Sequence, residues 1–416
     1  MAEPLRLFVL AGEASGDRIG ADLVQRLRRG TDLTLLGVGG PELEGEGLTS
    51  LFPMDDLSVM GWSDVLRRLP LLLWRVRQTA NAIIRQRPDV VVLIDSQVFV
   101  KAVAKRVRRA GLRMPMLLYV APSVWAWRPE RAAELRPLFD EVLAVLPFEP
   151  KVMAELGGPP TSYVGHPALA RFPMRPAQPE RGPLLLLPGS RAGELRRHLP
   201  LMRQAADALR AHPRITGFIM PTLTALAEGL RAEVAGWPVP VEVVSGNERS
   251  AAFACAYAAF AVSGTISFEL AMSGVPMAVT YVADPQQAKR AAQIGHPVQI
   301  ALPNIILGRE VVPELQFVDP RAERSLGPLS ALLDSPDAVA AQVAAFHELR
   351  ALMQKGAPEA PLVDPAARVL AYADQRPLIG SHRRAVVELA RTADLLLRVA
   401  DHFLPLRDPA DGAAER

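Results

Sequence analysis

The chain has 416 residues, half of them hydrophobic, with one cysteine, seven histidines and a formal net charge of +3. That length favours two domains of roughly 100–200 residues each. A lone cysteine excludes an internal disulfide, and histidines without ligand spacing argue against a resident metal.

From the amino terminus, the run 5–10 is apolar apart from Arg6, as in a strand buried on both faces. No basic leader precedes it and no stretch approaches the roughly 20 apolar residues that cross a bilayer, so neither a signal peptide nor a membrane span is expected, and a reducing cytoplasm is. The turn Ala11-Gly12-Glu13-Ala14-Ser15-Gly16-Asp17 follows, then Ile19, Leu23 and Leu27 at helical spacing. Open parallel sheets bind ligands at such strand ends, where helix-start amides are unpaired and glycines admit close approach. Gly12, Glu13 and Ser15 are therefore candidate site residues, with a turn acid bonding nearby amides as the plainer reading of Glu13.

A second strand is expected at 33–37, before Gly37-Val38-Gly39-Gly40-Pro41. That loop lacks the Gly-x-Gly-x-x-Gly spacing of a dinucleotide oxidoreductase. Between Met60 and Trp74 the chain carries Trp62, Leu66, Leu69, Leu72 and Leu73 beside Arg67, Arg68, Arg75 and Arg77. This pattern suits a helix lying on an anionic membrane surface. It equally suits a leucine-rich core helix with solvated arginines. Nucleic acid is disfavoured, because bulky aliphatics interrupt the basic residues.

Strand 90–94 leads directly into Asp95, whose carboxylate should emerge at the same end of the sheet as Glu13, either for chemistry or as a helix N-cap. Strands at 116–120 and 142–146 complete the first half. Pro167, Pro173, Pro176, Pro179 and Pro183 then mark a linker. The expected division is an amino-terminal domain 1–168, a second domain 169–345, and carboxyl-terminal helices 346–416 packing back on the first.

In the second half, strands are expected at 184–187, 215–220, 241–244, 260–262 and 277–281. Strand–helix alternation implies parallel sheets. Leu187-Pro188-Gly189-Ser190-Arg191 offers helix-start amides and an always-charged fork, suited to a diphosphate. Ser263-Gly264-Thr265 repeats that geometry, with Glu269 one turn inside as a partner for sugar hydroxyls or as a capping acid. Cys255 lies in the apolar, helix-like stretch 251–259 and is expected to be buried. Beyond Pro320 the chain reads as helical to a polar, disordered tail from Asp408.

In order and wording, several blocks resemble the lipid-A-disaccharide synthases, glycosyltransferases with two Rossmann-like domains facing a cleft (GT-B fold). The blocks are 11–17, 37–41, Leu57-Ser58-Val59-Met60-Gly61, Pro122-Ser123-Val124-Trp125-Ala126-Trp127-Arg128, Leu146-Pro147-Phe148-Glu149, 187–191, Ser263-Gly264-Thr265 with Glu269, and Leu302-Pro303-Asn304 with Gly308-Arg309-Glu310. One departure is Asp95-Ser96-Gln97-Val98-Phe99, where the family usually has proline and a second acid at 97 and 98.

The resemblance implies transfer of 2,3-diacylglucosamine from UDP to the 6-hydroxyl of 2,3-diacylglucosamine 1-phosphate, with inversion, giving a β-1,6-linked disaccharide phosphate and UDP. It implies work at the cytoplasmic face of a Gram-negative inner membrane, with no cofactor, no metal and no nucleic acid. Asp95 would be the base, Glu13 its backup or the acceptor-orienting acid, and Arg191 the diphosphate stabiliser. Gly12, Ser15, Gly189, Ser190, Ser263, Gly264, Thr265, Glu269, Asn304 and Trp125 would bind substrate. The alternatives are a UDP-sugar 2-epimerase-like enzyme and a non-catalytic, membrane-docking nucleotide-sugar binder.

Overall fold

The computed structural model describes residues 3–57, 62–246, 248–284, 299–317 and 326–374. Two six-stranded parallel sheets carry the fold. The first holds β1 (Leu5–Ala11), β2 (Leu33–Val38), β3 (Val90–Ile94), β4 (Met116–Tyr119), β5 (Glu141–Ala144) and β6 (Thr161–Tyr163), in the spatial order β2-β1-β3-β4-β5-β6. The second holds β7 (Gly182–Leu187), β8 (Ile215–Thr222), β9 (Val241–Ser245), β10 (Ala258–Val262), β11 (Met277–Val282) and β12 (Glu314–Phe317), ordered β12-β11-β10-β7-β8-β9. Chain direction across each sheet reverses once, between β1 and β3 and between β7 and β10. Ligands of doubly wound sheets settle at those switch points, outside the carboxyl ends of the strands.

Helices cover both faces. The first domain has α1 (Ala14–Arg28), α2 (Pro41–Gly45), α3 (Trp62–Gln86), α4 (Gln97–Arg109), α5 (Arg131–Leu135), α6 (Glu149–Glu155) and α7 (Ala168–Arg171). The second has α8 (Ala192–Leu209), α9 (Thr224–Val234), α10 (Glu248–Cys255), α11 (Thr265–Ser273), α12 (Leu302–Leu307), α13 (Gly327–Asp334) and α14 (Pro336–Lys355). The central strands read Val90-Val91-Val92-Leu93-Ile94 and Ala258-Ala259-Phe260-Ala261-Val262, every residue buried, as sheets covered on both faces require.

Three expectations need correction. Helix 251–259 stops at Cys255, because Ala258 already belongs to β10, and Cys255 is exposed at the helix's end. The run beyond 320 is not helical throughout: Gly356–Ala357 (β13) and Ala360–Pro361 (β14) form a small antiparallel hairpin before α15 (Pro365–Asp374). Gly356 turns the chain at φ 79°, and a side chain there would meet the Ala360 carbonyl at 2.3 Å. Strands β6 and β12 are too short and too polar to have shown as apolar runs. The tail from Asp408 lies outside the described residues.

Helix α14 bolts the two halves together. The Arg350 guanidinium donates to the carbonyls of Leu169 (2.8 Å), Phe172 (2.9 Å) and Met272 (3.0 Å), and the Tyr163 hydroxyl donates to the Met353 carbonyl at 2.6 Å. Helix α15 returns to the first domain, against α1 and β3, where Arg368 grips the buried Glu141 carboxylate at 2.9 Å.

The loop after β2 is built around an acid. Asp17, buried in α1, accepts from the amides of Gly40 (2.8 Å), Glu42 (2.9 Å) and Leu43 (3.3 Å). Gly37 lies so close to β1 that a Cβ would stand 1.7 Å from the Val9 carbonyl oxygen. These glycines therefore serve packing against the first strand and Asp17, which accounts for a glycine loop without dinucleotide spacing.

Candidate active site

Both switch points carry the residues singled out in the sequence. At the end of β1, Gly12 and Glu13 lead into α1, and at the end of β3 Asp95 leads into α4. The two turns touch: a Cβ on Gly12 would fall 2.1 Å from the Ser96 hydroxyl. Glu13 is the N-cap residue of α1, yet its side chain makes no capping bond, and Ser15 sits exposed in the first turn. The N-cap of α4 is Ser96, again without a side-chain bond, so neither acid is consumed in capping.

Strain gathers here. Asp95 (φ 52°), Ser96 (φ 40°) and Val120 (φ 74°) all occupy left-handed backbone at strand ends of the first sheet. For a β-branched residue such as Val120 this is an outlier, and such conformations cost about 1–3 kcal/mol each. They persist because neighbouring bonds fix them: the Asp95 amide donates to Tyr119 O (3.0 Å), the Val120 amide to Leu143 O (2.9 Å), and the Gln97 side chain to Val120 O (3.2 Å). The departure at 97–98 is thereby placed. Gln97 takes the first helical position, where proline is otherwise well suited, and Val98 points out at 81% exposure.

Burial pushes the Asp95 carboxyl above its usual range, offset only in part by the hydrogen bond from the Ser96 amide. Glu13 is raised as well, first by burial, then by the charge of Asp95, while Arg191 pulls it down. Arg191 belongs to the other domain, so its charge reaches Glu13 across the cleft. Two more links cross the same gap: the His166 ring packs on Phe268 of α11 with centroids 4.7 Å apart, and Arg18 of α1 senses Glu269 and Arg249. His166 is held neutral, lowered to about 4 by burial, with Nδ1 accepting from the Ala168 amide at 3.0 Å.

At the second switch point, Gly189 (φ 97°), Ser190 and Arg191 follow β7, and Ser263, Gly264 and Thr265 follow β10. The Ser263 hydroxyl donates to Ile300 O at 2.7 Å, and Gly264 and Thr265 are exposed at the start of α11. Glu269 forms an ion pair with Arg249 at 3.0 Å. Glu194 was not anticipated. Its carboxylate accepts from the amides of Ser190 (3.1 Å) and Arg191 (3.2 Å) and from the Arg191 guanidinium (2.7 Å). The capping-box spacing from residue 191 to 194 was the available signal.

Asn304 has a different place from the one expected. Fully buried, it donates to Val312 O (2.8 Å) and Glu314 (2.9 Å) and accepts from the amides of Val311 and Val312 (2.8 Å each). Its side chain is thus occupied in fixing the loop before β12, and no donor is left for a ligand. Trp125 is half-buried, its ring edge-on to Phe148 (5.5 Å) and its indole N–H donating to Glu149 at 3.4 Å. Glu149, pushed up to about 8 by burial, also accepts from the Leu146 amide at 3.0 Å, so the blocks 122–128 and 146–149 are two sides of one contact.

Helix α3 combines both readings of its sequence. Leu72 and Val76 pack into the core, while Leu69 (42%), Leu73 (61%) and Trp74 (53%) are exposed. Arg75 is not a surface charge: it bonds Asp56 at 2.8 Å and lies over Phe52 and Trp74. Met60 and the side chains of Trp62 and Leu66 lie outside what the structure describes. No helix among the described residues is long and apolar enough to cross a membrane.

Two facing Rossmann-like domains with loops converging from both switch points define a GT-B-type fold. Solved structures share it: a kitacinnamycin glycotransferase (TM-score 0.53, 16% identity, 90% of this chain and 100% of that one) and a UDP-GlcNAc 2-epimerase from Neisseria meningitidis bound to UDP-GlcNAc (TM-score 0.54, 12% identity, 84% and 100%). At such identities the likeness shows the fold alone. Residues 7–360 match the lipid-A-disaccharide synthetase family, and the chain belongs to it. Lipid-A-disaccharide synthases from Nitrobacter hamburgensis (40% identical over 362 residues, 84% of this chain and 91% of the relative) and Gluconobacter oxydans (39% over 356 residues, 82% and 85%) are among its relatives. It is therefore a glycosyltransferase of lipid A biosynthesis, which separates it from the epimerases that share its fold.

Proposed function

We propose that the enzyme moves 2,3-diacylglucosamine from UDP onto the 6-hydroxyl of 2,3-diacylglucosamine 1-phosphate in a single inverting displacement. The observation carrying this reading is an uncapped, partly buried acid at the first switch point, Asp95, beside Glu13, whose carboxyl senses the Arg191 turn across the cleft. The acceptor oxygen attacks the anomeric carbon and its proton passes to the Asp95 carboxylate. The bond to the β-phosphate breaks with its electron pair, and UDP leaves. A base on one side and fixed positive charge on the other are what such a step requires. Glu13 orients the acceptor, the first domain takes acceptor and membrane, and the second takes the donor at Gly189–Arg191, Gly264–Thr265 and Glu269. UDP release from acylated against unacylated glucosamine donors is the direct test; equal rates would remove the acyl specificity and with it the substrate assignment.

Arg191→Lys should raise the donor KM and slow turnover, because a point charge does not reproduce a planar fork on a diphosphate. Unchanged donor affinity and rate in that variant would put the diphosphate elsewhere.

Substrate chains bound to the bilayer at about 0.8 kcal/mol per buried methylene call for an enzyme that docks on it. Exposed Leu69, Leu73 and Trp74 supply the apolar contact, and the exposed Arg67 and Arg77 the attraction to anionic headgroups. Replacing those three apolar residues by serine should reduce sedimentation with anionic vesicles and turnover on vesicle-borne acceptor, with detergent-dispersed acceptor still used. Normal vesicle binding by the folded variant would move docking to another surface.

A further inference from the structure

The donor turn contains an acid where an anion is to be bound. Glu194 Oε2 takes the amides of Ser190 and Arg191, and Oε1 takes Arg191 Nη1. Only 13% of the Glu194 side chain is exposed, against 78% of Arg191. The acid is packed beneath the turn: a Cβ on Gly189 would fall 2.6 Å from Glu194 Oε2. One nitrogen of the guanidinium is held from below; among the described residues no other bond holds the largely exposed fork, and its charge reaches Glu13.

An arginine with four rotatable side-chain bonds loses considerable freedom when it clamps a ligand, and a partner that restricts it beforehand reduces that loss. Unlike a residue whose whole task is to cap a helix, Glu194 bonds both the backbone of the turn and the side chain that the turn displays. We propose that Glu194 is the positioning residue of the donor site: it closes the 189–191 turn and presets the Arg191 fork for the diphosphate of a nucleoside-diphosphate sugar. The proposal rests on the donor reading given above. The rival is that the carboxylate occupies the anion's own place and must be displaced when the donor binds.

Calorimetric titration of the full chain with UDP and with uridine tells these apart. Glu194→Gln keeps an oxygen for the amides but gives up the charge that holds the guanidinium. Expected is a roughly tenfold loss of UDP affinity, the scale of one hydrogen bond to a charged group, with uridine affinity and melting temperature unchanged. In an Arg191→Ala background the same change should have no further effect, since the two residues act as one unit. Tighter UDP binding by Glu194→Gln would establish the rival, and unchanged UDP affinity, parallel loss of uridine or additive losses would each overturn the proposal. A wild-type chain that binds uridine without preferring UDP would instead overturn the donor reading.

Discussion

Asp95→Asn is expected to lower turnover by about 10²–10⁴, the usual effect of removing a general base, with UDP affinity close to wild type. The variant should fold, because residue 95 sits at φ 52° and asparagine is among the few residues that tolerate left-handed backbone. An alanine there would confound lost chemistry with added strain. A base must be ionised to act, and burial raises this carboxyl. The acid limb of the pH–rate profile should therefore lie above the range of an ordinary aspartate, and activity should fall as pH drops through it. Glu13→Gln is the companion: burial and not Glu13 raises the Asp95 carboxyl, so the limb should stay in place in that variant if Asp95 is the base. If Asp95→Asn keeps most of its rate across pH, the base is Glu13 or another group.

Legibility in the sequence followed apolarity. Strands β1, β3, β7 and β10 are buried on both faces, so they stood out as apolar runs, interrupted only by Arg6 in β1, and the residues at their ends were placed with them. Two of the edge strands left no such mark: β6 is Thr161-Ser162-Tyr163, and β12 alternates, with Gln316 exposed. Among the site residues, position in the fold was readable and occupation was not. The resemblance marked Asn304 as a substrate contact, but its partners Val312 and Glu314 lie beyond the end of its own helix, and only folding brings them together. Helix α3 shows the same limit, since periodicity gave one apolar surface where packing divides it into a buried stripe and an exposed one.

The largest effect on stability is expected from Asp17→Ala. Three amides, those of Gly40, Glu42 and Leu43, point at this one buried carboxylate, and no other acceptor replaces it. Each buried donor left unsatisfied costs about 1–3 kcal/mol. With α2 near enough to the surface for water to reach part of the gap, a total on the order of 3–5 kcal/mol follows, a large part of the roughly 5–15 kcal/mol that holds a domain together. Asp17→Asn should fall between, because its single carbonyl oxygen can serve only one side of the site and its NH2 group would face a donor. Urea unfolding followed by fluorescence measures both, and a loss under 1 kcal/mol for the alanine variant would mean that the loop 39–43 finds other partners. The consequence for function runs through the same contact. Asp17 is one turn beyond Glu13 on α1, so loosening 39–43 frees the helix start that holds Glu13 beside Asp95, and activity should decline before the sheet itself unfolds. Hydrogen exchange would show it as faster exchange at the amides of Gly40, Glu42 and Leu43 with β1 and β3 still protected.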